Sequence, residues 1–204
     1  NQILVLLAAE VLKDEPRSII IADVKASQVF FDEIRRLGGK PLMWKTGHSL
    51  IKTKMQELHA PLAGEMSAHI FFRHRYYGFD DALYAAVRML AVAAASDKSV
   101  AQMRDALPQM VNTPEIRFDC AEDRKFKVIE EVQKRLKATP DVEVNDIDGV
   151  RVTTPDGWWL LRASNTQAVL VARCESRTIE GLARLKAALV EQLTLSRVKT
   201  PDLG

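Results

Sequence analysis

The feature that most constrains this fold is a regular alternation of short apolar segments with amphipathic segments in the first half of the chain. The run Ile19, Ile20 and Ile21 is β-branched throughout, as is typical of a strand buried on both faces. Apolar residues at helical spacing predict one helix over residues 1–13 and another that Ser27 caps. Alternating strands and helices predict an α/β domain, in which a mixed sheet has helices on its faces.

The same alternation continues to about residue 108. Further elements are predicted as strands over residues 41–44 and 61–64 and a helix over residues 48–58. That helix would turn Leu50 toward the core. Either Asp80 or Asp81 would cap the last long helix, whose apolar residues are Leu83, Val87, Leu90 and Ala94.

Polar side chains follow each of the three predicted strands. Ligands of such sheets bind beyond the carboxyl ends of the strands, so these side chains are expected to crowd one rim. They are Lys25, Lys45, His48, Glu65 and Ser67.

The second half of the chain has a different pattern. Residues 107–114 contain two prolines and are typical of a connector. The helices predicted beyond it carry Phe126, Ile129, Val132 and Leu136, and then Ile179, Leu182, Leu185, Leu189 and Leu193. The strands predicted between these helices cover residues 142–144, 150–154, 158–162 and 168–175. This order predicts a small α+β domain over residues 109–204, an antiparallel sheet with helices on one face, after an α/β domain over residues 1–108.

Composition limits the function classes. Hydrophobic residues make up 47% and charged residues 27% of the chain, which is an ordinary balance for a globular protein. A formal charge of +2 gives no indication of a nucleic-acid or membrane partner, and no stretch has the length of a transmembrane span. Two distant cysteines, Cys120 and Cys174, form no disulfide or zinc pattern, which favours free thiols in a reducing cytosol.

The first candidate site is the segment 64–72. Glu65, Ser67 and His69 alternate with apolar residues, so in an extended loop they would face one way. A carboxylate, a hydroxyl and an imidazole on one edge can hold neighbouring hydroxyls of a sugar. An edge strand with ordinary polar residues explains the pattern equally well.

The second candidate site is the turn 162–166, which contains Arg162, Ser164, Asn165 and Thr166. A guanidinium binds phosphate in a bidentate manner, and hydroxyls and turn amides complete such a site. Arg173 on the following strand would add a second positive charge. A polar hairpin turn is the simpler alternative, because these residue types are common in turns.

Lys45 and His48 flank the start of a predicted helix, whose N-terminus offers free N–H groups to an anion. His48 would act in acid–base chemistry or donate to a ligand oxygen. The alternative is a capping turn with an exposed Lys45, and Lys25 is equally open to being a solvated charge. The histidines and acids match no zinc signature, so no metal site is predicted here.

In this order, the segments resemble the α-D-phosphohexomutase superfamily, in its phosphomannomutase/phosphoglucomutase branch. Glu65, Met66 and Ser67, followed by His69, resemble the sugar-specificity loop of that branch, and residues 162–166 resemble its phosphate-binding loop. The phosphoglucosamine mutase branch usually has Gly in place of Asn165 and is the alternative. The resemblance covers the whole chain and corresponds to the third and fourth of four family domains.

The resemblance implies reversible interconversion of hexose 1-phosphate and hexose 6-phosphate, on mannose or glucose, by a cytoplasmic enzyme. It implies a phosphoserine, a hexose 1,6-bisphosphate intermediate and Mg²⁺, with the phosphoserine and metal loops in N-terminal domains that this chain lacks. The chain alone is therefore expected to be inactive. Its implied partners are hexose phosphates and those N-terminal domains, with neither nucleic acid nor membrane.

The resemblance also assigns roles. Lys25, His48 and His69 would line the catalytic centre. Substrate would be bound by Glu65, Ser67, Lys45, Arg162, Ser164, Asn165, Thr166 and Arg173. Ala68 stands where the family has Gly, and if that position has a positive φ, alanine strains the loop by about 1 kcal/mol.

Two other functions fit the same residues. One is a stand-alone sugar-phosphate binding or regulatory module, and the other is a structural pair of domains whose polar loops are plain turns.

Overall fold

The computed structural model describes residues 2–137, 139 and 142–203, and it divides into two compact units, Asn1–Pro108 and Gln109–Gly204. Residue 1 of the first predicted helix lies outside the described residues. No helix in the described ranges is long and apolar enough to cross a membrane.

The first unit alternates helices and strands, as predicted. Its elements are α1 Gln2–Asp14, β1 Ile19–Asp23, α2 Gln28–Arg36, β2 Lys40–Trp44, α3 His48–Glu57, β3 Leu62–Gly64, β4 Ile70–Phe72, β5 Phe79–Asp80, α4 Ala82–Ala94 and α5 Val100–Asp105. The sheet order is β2-β1-β3-β4-β5, with parallel pairing of β1 to β2 and β3 and antiparallel pairing beyond β3. The mixed sheet that the sequence predicts is confirmed.

Both faces of this sheet are covered. Alternate strand residues point to opposite faces, so Ile20 and Leu62 join a core cluster with α1 and α2. Ile21 and Ala63 join a second cluster with α3, which contributes Ile51 and Met55. The sheet is therefore buried on both sides, as its continuous apolar strands require.

One prediction about an inward-facing residue in the first unit is wrong. Leu50 is 41% exposed, because α3 turns Ile51 and Met55 toward the sheet instead. The helix capped by Asp81 exists, but Leu83, Val87 and Leu90 lie on its outer side.

The second unit is an antiparallel sheet with two helices, which confirms the predicted α+β domain. Its elements are β6 Val111–Asn112, β7 Ile116–Asp119, α6 Glu122–Leu136, β8 Glu143–Asn145, β9 Val150–Thr154, β10 Gly157–Ala163, β11 Val169–Ser176 and α7 Ile179–Leu195. The order is β6-β11-β10-β9-β8, and β7 also pairs with β11. Four short strands were not predicted, namely β4, β5, β6 and β7.

The strands of the second unit have two unlike faces. On one face Val152, Trp159 and Leu161 pack with α6 and α7 in a single core. Two predicted members of the helical stripes, Phe126 and Ile179, are exposed instead, at 49% and 73%. Near the beginnings of these helices the buried positions are Lys125 and Gly181 instead.

Candidate active site

Parallel pairing brings the carboxyl ends of three strands to one edge of the first sheet. Asp23 of β1 is in register with Trp44 of β2, and Ala22 is in register with Gly64 of β3. The loops that follow these ends carry Lys25, Lys45, His48, Glu65, Ser67 and His69. The rim predicted from the sequence is therefore present in the fold.

The centre of this edge is Asp23, which is fully buried. Its Oδ1 accepts from the backbone N–H of Met66 at 3.0 Å, and its Oδ2 accepts from the Thr46 hydroxyl at 3.3 Å. The ammonium of Lys25 lies 3.7 Å from Oδ2 and is itself buried. One carboxylate thus joins the ends of three strands.

Burial raises the pKa of Asp23 from 3.8 to about 6. Removing a carboxylate from water disfavours its charged form, and the nearby charge of Glu65 acts in the same direction. Lys25 and the hydrogen bonds from Met66 and Thr46 lower the pKa and limit the rise. The site therefore holds a carboxylate that titrates close to neutrality.

A second buried carboxylate, Glu65, connects two of the same loops. Its Oε1 accepts from the backbone N–H of Gly47 at 2.7 Å. The prediction of an extended loop here is wrong, because residues 65–69 form a tight turn. In that turn Glu65 N–H donates to the carbonyl of His69 at 2.9 Å, and Ala68 N–H donates to the carbonyl of Glu65 at 3.1 Å. Glu65 consequently points inward, whereas Ser67 and His69 are exposed.

The turn contains backbone strain at Ala68, the position where the family resemblance implies glycine. Ala68 has a φ of 74°, in the left-handed region that favours glycine. An alanine in this conformation costs about 1 kcal/mol, which the two hydrogen bonds across the turn offset.

His48 and His69 are brought together by Asp80 of β5. The Nδ1 atom of His69 lies 2.6 Å from Oδ2 of Asp80, and Nε2 of His48 lies 3.4 Å from the same oxygen. A carboxylate only accepts, so Nδ1 of His69 carries the proton and Nε2 is left to exchange one with a ligand. Both rings are about half exposed, at 52% and 50%. They can therefore reach a substrate.

Asp80 is itself held in place by the backbone, because its Oδ1 accepts from the N–H of Ile70 at 3.1 Å. Lys45 is exposed at the same rim and adds positive charge there. This edge therefore combines ammonium and imidazole groups with carboxylates, a mixture that can contact both the charged and the hydroxyl groups of a ligand.

The candidate phosphate loop lies in the second unit, between β10 and β11. Ser164 is buried, and its hydroxyl accepts from the N–H groups of Thr166 at 3.4 Å and Gln167 at 3.2 Å. Ser164 thus caps the turn from within, whereas Asn165 and Thr166 are exposed at its tip. The turn is formed as the sequence predicts.

Beneath this turn lies Lys125 of α6, a fully buried lysine. Its ammonium donates to the carbonyls of Ser164 at 2.7 Å and Gln167 at 2.9 Å, and Glu122 lies 2.7 Å away. A charge that binds both ends of a four-residue turn fixes its shape.

Arg162 is buried and is paired with Asp148. Its Nε and Nη2 lie 3.0 and 3.3 Å from the two carboxylate oxygens. Arg173 lies diagonally across the same sheet face, since Leu160 is its direct partner in the register. The Nη2 atom of Arg173 is 3.5 Å from Oε2 of Glu175.

That face also carries Arg151, which opposes Leu160 in the register and stacks 3.7 Å above the ring of Trp158. The Trp158 indole N–H donates to Glu175 at 3.0 Å. Three arginines are thus collected on the face opposite the apolar core, with Asp148 and Glu175 as counter-charges. The predicted arginines Arg162 and Arg173 share this face with Arg151.

Sequence reasoning missed several residues of these sites, among them Asp23, Asp80 and Lys125. Asp23 ends an apolar strand, and a charge at that position is a usable signal. Asp80 was considered as a helix cap, but Asp81 fills that role and leaves Asp80 for the imidazoles. For Lys125, the one sequence feature that could have predicted burial is its place beside the apolar stripe of α6.

Metal binding has little support in this part of the protein. No group of three or more His, Cys, Asp or Glu within the described ranges could hold a metal ion. Mg²⁺ prefers several oxygen ligands, whereas Asp23, Glu65 and Asp80 are already bound by backbone N–H groups. These residues do not fit a magnesium site.

Two family models match the chain. Residues 1–111 match the model described as phosphoglucomutase/phosphomannomutase, alpha/beta/alpha domain III. Residues 115–192 match the phosphoglucomutase/phosphomannomutase C-terminal domain. The chain belongs to the phosphoglucomutase/phosphomannomutase family.

Relatives within this family are similar over almost the whole chain. A phosphomannomutase/phosphoglucomutase of Pseudomonas aeruginosa is 44% identical over 193 residues, which are 95% of this chain and 42% of the relative. A phosphoglucomutase of Neisseria gonorrhoeae is 42% identical over 184 residues, 90% of this chain and 40% of the relative. The chain thus spans about two fifths of the length of these family members.

A solved structure of a phosphoglucomutase/phosphomannomutase family protein from Burkholderia thailandensis has the same fold. It superposes with a TM-score of 0.87 at 41% identity, covering 100% of this chain and 42% of the other. The two domain folds described above are therefore those of domain III and the C-terminal domain of this family.

Proposed function

We propose that this chain is the substrate-binding half of a phosphomannomutase/phosphoglucomutase, which interconverts hexose 1-phosphate and hexose 6-phosphate reversibly. The observation that carries the proposal is the collection of Lys25, His48 and His69 at the edge of the sheet that also holds Glu65. Relatives at 42–44% identity that are named phosphomannomutase/phosphoglucomutase or phosphoglucomutase support this branch over phosphoglucosamine mutases.

The reaction moves a phosphoryl group twice. An enzyme phosphoserine, outside this chain, would give its phosphoryl group to a free hydroxyl of the sugar phosphate and form a hexose 1,6-bisphosphate. The other phosphoryl group would then return to the serine. Mg²⁺ would supply charge neutralisation at the phosphoserine, and it would be held by the part of the enzyme that this chain does not span.

The residues of the first unit would manage protons and charge. The attacking hydroxyl must lose a proton, and Nε2 of His69 is available to accept it because Asp80 holds Nδ1. Lys25 would stabilise charge on the transferred phosphoryl group. His48 lies 6.0 Å from His69, ring to ring, and would contact the same region of the substrate.

The turn 65–69 would bind sugar hydroxyls. Only Oε1 of Glu65 is bound by Gly47, and an ionised carboxylate has further acceptor positions for hydroxyl groups. Ser67 is exposed beside it and would donate or accept. Lys45 at the neighbouring loop would add positive charge next to the phosphorylated sugar.

The turn 164–167 would hold the phosphate that does not react. Asn165 and Thr166 present polar side chains at its tip, and Ser164 keeps its shape. Arg162 would donate from Nη1, which the pair with Asp148 does not use. Arg173 would add charge from the same sheet face. A phosphate bound away from the reaction orients the sugar for attack.

The test is a calorimetric titration of this chain with glucose 1-phosphate, alongside Arg162→Gln. A matched control is Arg184→Gln, because Arg184 is also paired with an aspartate, Asp156, but lies on α7. We expect Arg162→Gln to weaken binding about tenfold, which is the loss of one charge-assisted phosphate contact. Arg184→Gln should bind glucose 1-phosphate as tightly as the wild type does. Titration with unphosphorylated glucose measures the affinity that does not depend on the phosphate.

The proposal is wrong if the chain shows no affinity for glucose 1-phosphate, or if the two arginine variants lose affinity equally. A second experiment joins the chain to the preceding part of the Pseudomonas aeruginosa relative and measures whether this chimaera isomerises glucose 1-phosphate. A chimaera that binds glucose 1-phosphate without isomerising it would favour the binding-module alternative.

A further inference from the structure

Helix α4 is apolar around most of its circumference, because Ala85, Met89 and Val92 also pack on the core of the first unit. Its two polar side chains, Tyr84 and Arg88, face the unit: Tyr84 stacks on Tyr76 with ring centroids 3.9 Å apart. Arg88 donates to the carbonyl of His74 at 3.1 Å and lies over Phe72. A helix at the surface of a globular protein normally turns such residues outward.

The outer side of α4 is entirely apolar. Its exposed residues are Ala82, Leu83, Ala86, Val87, Leu90, Ala91 and Ala94. The three large ones are 82%, 61% and 68% exposed, in chain order. A continuous apolar surface without a charge is typical of an interface with another protein surface.

The comparisons indicate what covers this surface. More than half of each relative lies outside the matched region, and the matched domains are domain III and the C-terminal domain. The remaining part of those relatives therefore precedes domain III. We propose that the outer side of α4 is the docking surface for that preceding part of a family enzyme.

The position of α4 next to the candidate active site supports docking of that preceding part. Asp81, the N-cap of α4, directly follows Asp80, whose carboxylate holds His69. A body that packs along α4 therefore begins its contact one residue from the candidate active site. The phosphoserine proposed above lies in that same preceding part, so docking here would bring it to the edge where His69 and Lys25 lie. Because the face carries no charge, the contact is apolar and specificity comes from shape.

Thiol labelling tests the proposal. In Leu90→Cys the new thiol should react rapidly with a maleimide in the 204-residue chain, because position 90 is exposed. The native Cys120 and Cys174 are buried and should not compete for the reagent. The same substitution is made in a chimaera that carries the preceding part of the Pseudomonas aeruginosa relative. Labelling there should be slower by about tenfold or more, as for a thiol that reacts only after local opening.

Ile179→Cys is the matched control, because Ile179 is 73% exposed on a helix of the other unit and should react equally in both proteins. Equal labelling of Leu90→Cys in both proteins would overturn the proposal. Protection that rises with the concentration of the 204-residue chain would overturn it too, in favour of a second copy. If the chimaera does not fold, the residue of the relative that aligns with Leu90 is labelled instead, and rapid reaction there counts against the proposal.

Discussion

The carboxylate of Asp23 accepts a hydrogen bond from the backbone N–H of Met66 at 3.0 Å, joining residues 43 positions apart in the chain. Because Asp23 also accepts from Thr46 and lies beside Lys25, three loops share one fully buried group. Their relative positions therefore depend on it.

Asp23 should make stability depend on pH in an unusual direction. Its pKa of about 6 in the folded chain exceeds the ordinary 3.8, so the folded state binds the proton more tightly than the unfolded state. The free energy of unfolding should therefore fall as pH rises from about 4 to about 6, by up to about 3 kcal/mol from this group. Urea unfolding of Asp23→Asn over this range should lack that fall, whereas exposed Asp32→Asn should retain it. Parallel curves for wild type and Asp23→Asn would contradict the assignment.

The turn 65–69 should become more stable when glycine replaces Ala68. The left-handed φ of 74° costs an alanine about 1 kcal/mol, so Ala68→Gly should raise the free energy of unfolding by up to that amount. Ala86→Gly on the exposed side of α4 should lower it by about 1 kcal/mol, because glycine is a poor helix former. Chemical denaturation measures both, and a loss of stability in Ala68→Gly would show that the strain is absent.

Removing the ammonium of Lys125 should loosen the turn 164–167. Lys125→Met leaves one buried and one partly buried carbonyl without their donor and should destabilise the chain by about 3 kcal/mol. Affinity for glucose 1-phosphate should fall as well if this turn holds phosphate. Lys127→Met, at an exposed lysine of the same helix, is the control and should change neither quantity. Hydrogen exchange at the amides of Thr166 and Gln167 reports the turn directly, and unchanged protection would refute this role.

Gly157 at the start of β10 should tolerate no side chain. Its φ is 134°, and an added Cβ would collide with the carbonyl oxygen of Glu175 on β11. Gly157→Ala should therefore cost about 3 kcal/mol or more. Gly38 also has a positive φ, but a Cβ added there would meet no atom within 4 Å. Gly38→Ala should therefore lower the free energy of unfolding by only about 1 kcal/mol. Similar losses in the two variants would mean that steric contact plays no part.

Local pattern was enough to predict the parts of the fold that depend on neighbouring residues. The N-cap at Ser27, a cap at Asp80 or Asp81 and the strand Val150–Thr154 were predicted because residue type and spacing determine them. Strands such as β5 and β6 are only two residues long and exist through pairing with distant partners, which no local window contains.

The rim of the first sheet was predictable for a similar reason, since parallel strands must end at one edge. The inner partners were not. The contact of Lys125 with Ser164 joins residues 39 apart, and that of Asp80 with His69 depends on a hairpin whose strands were not expected. The exposure of Leu83 and Leu90 could not be predicted either, because an apolar helical stripe does not say which surface it faces.

The order of strand pairing has a consequence for how quickly each unit can assemble. In the second unit β8, β9 and β10 each pair with the next strand along the chain, and β9 and β10 close at Thr154 and Gly157. Such neighbours meet by closing short loops, at little entropic cost. In the first unit β1 pairs with β3, for example Ile20 with Leu62, although β2 and α3 lie between them in the chain. The β8–β11 part of the later unit therefore has the faster route to its sheet, whereas β6 and β7 pair with β11, which follows much later in the chain.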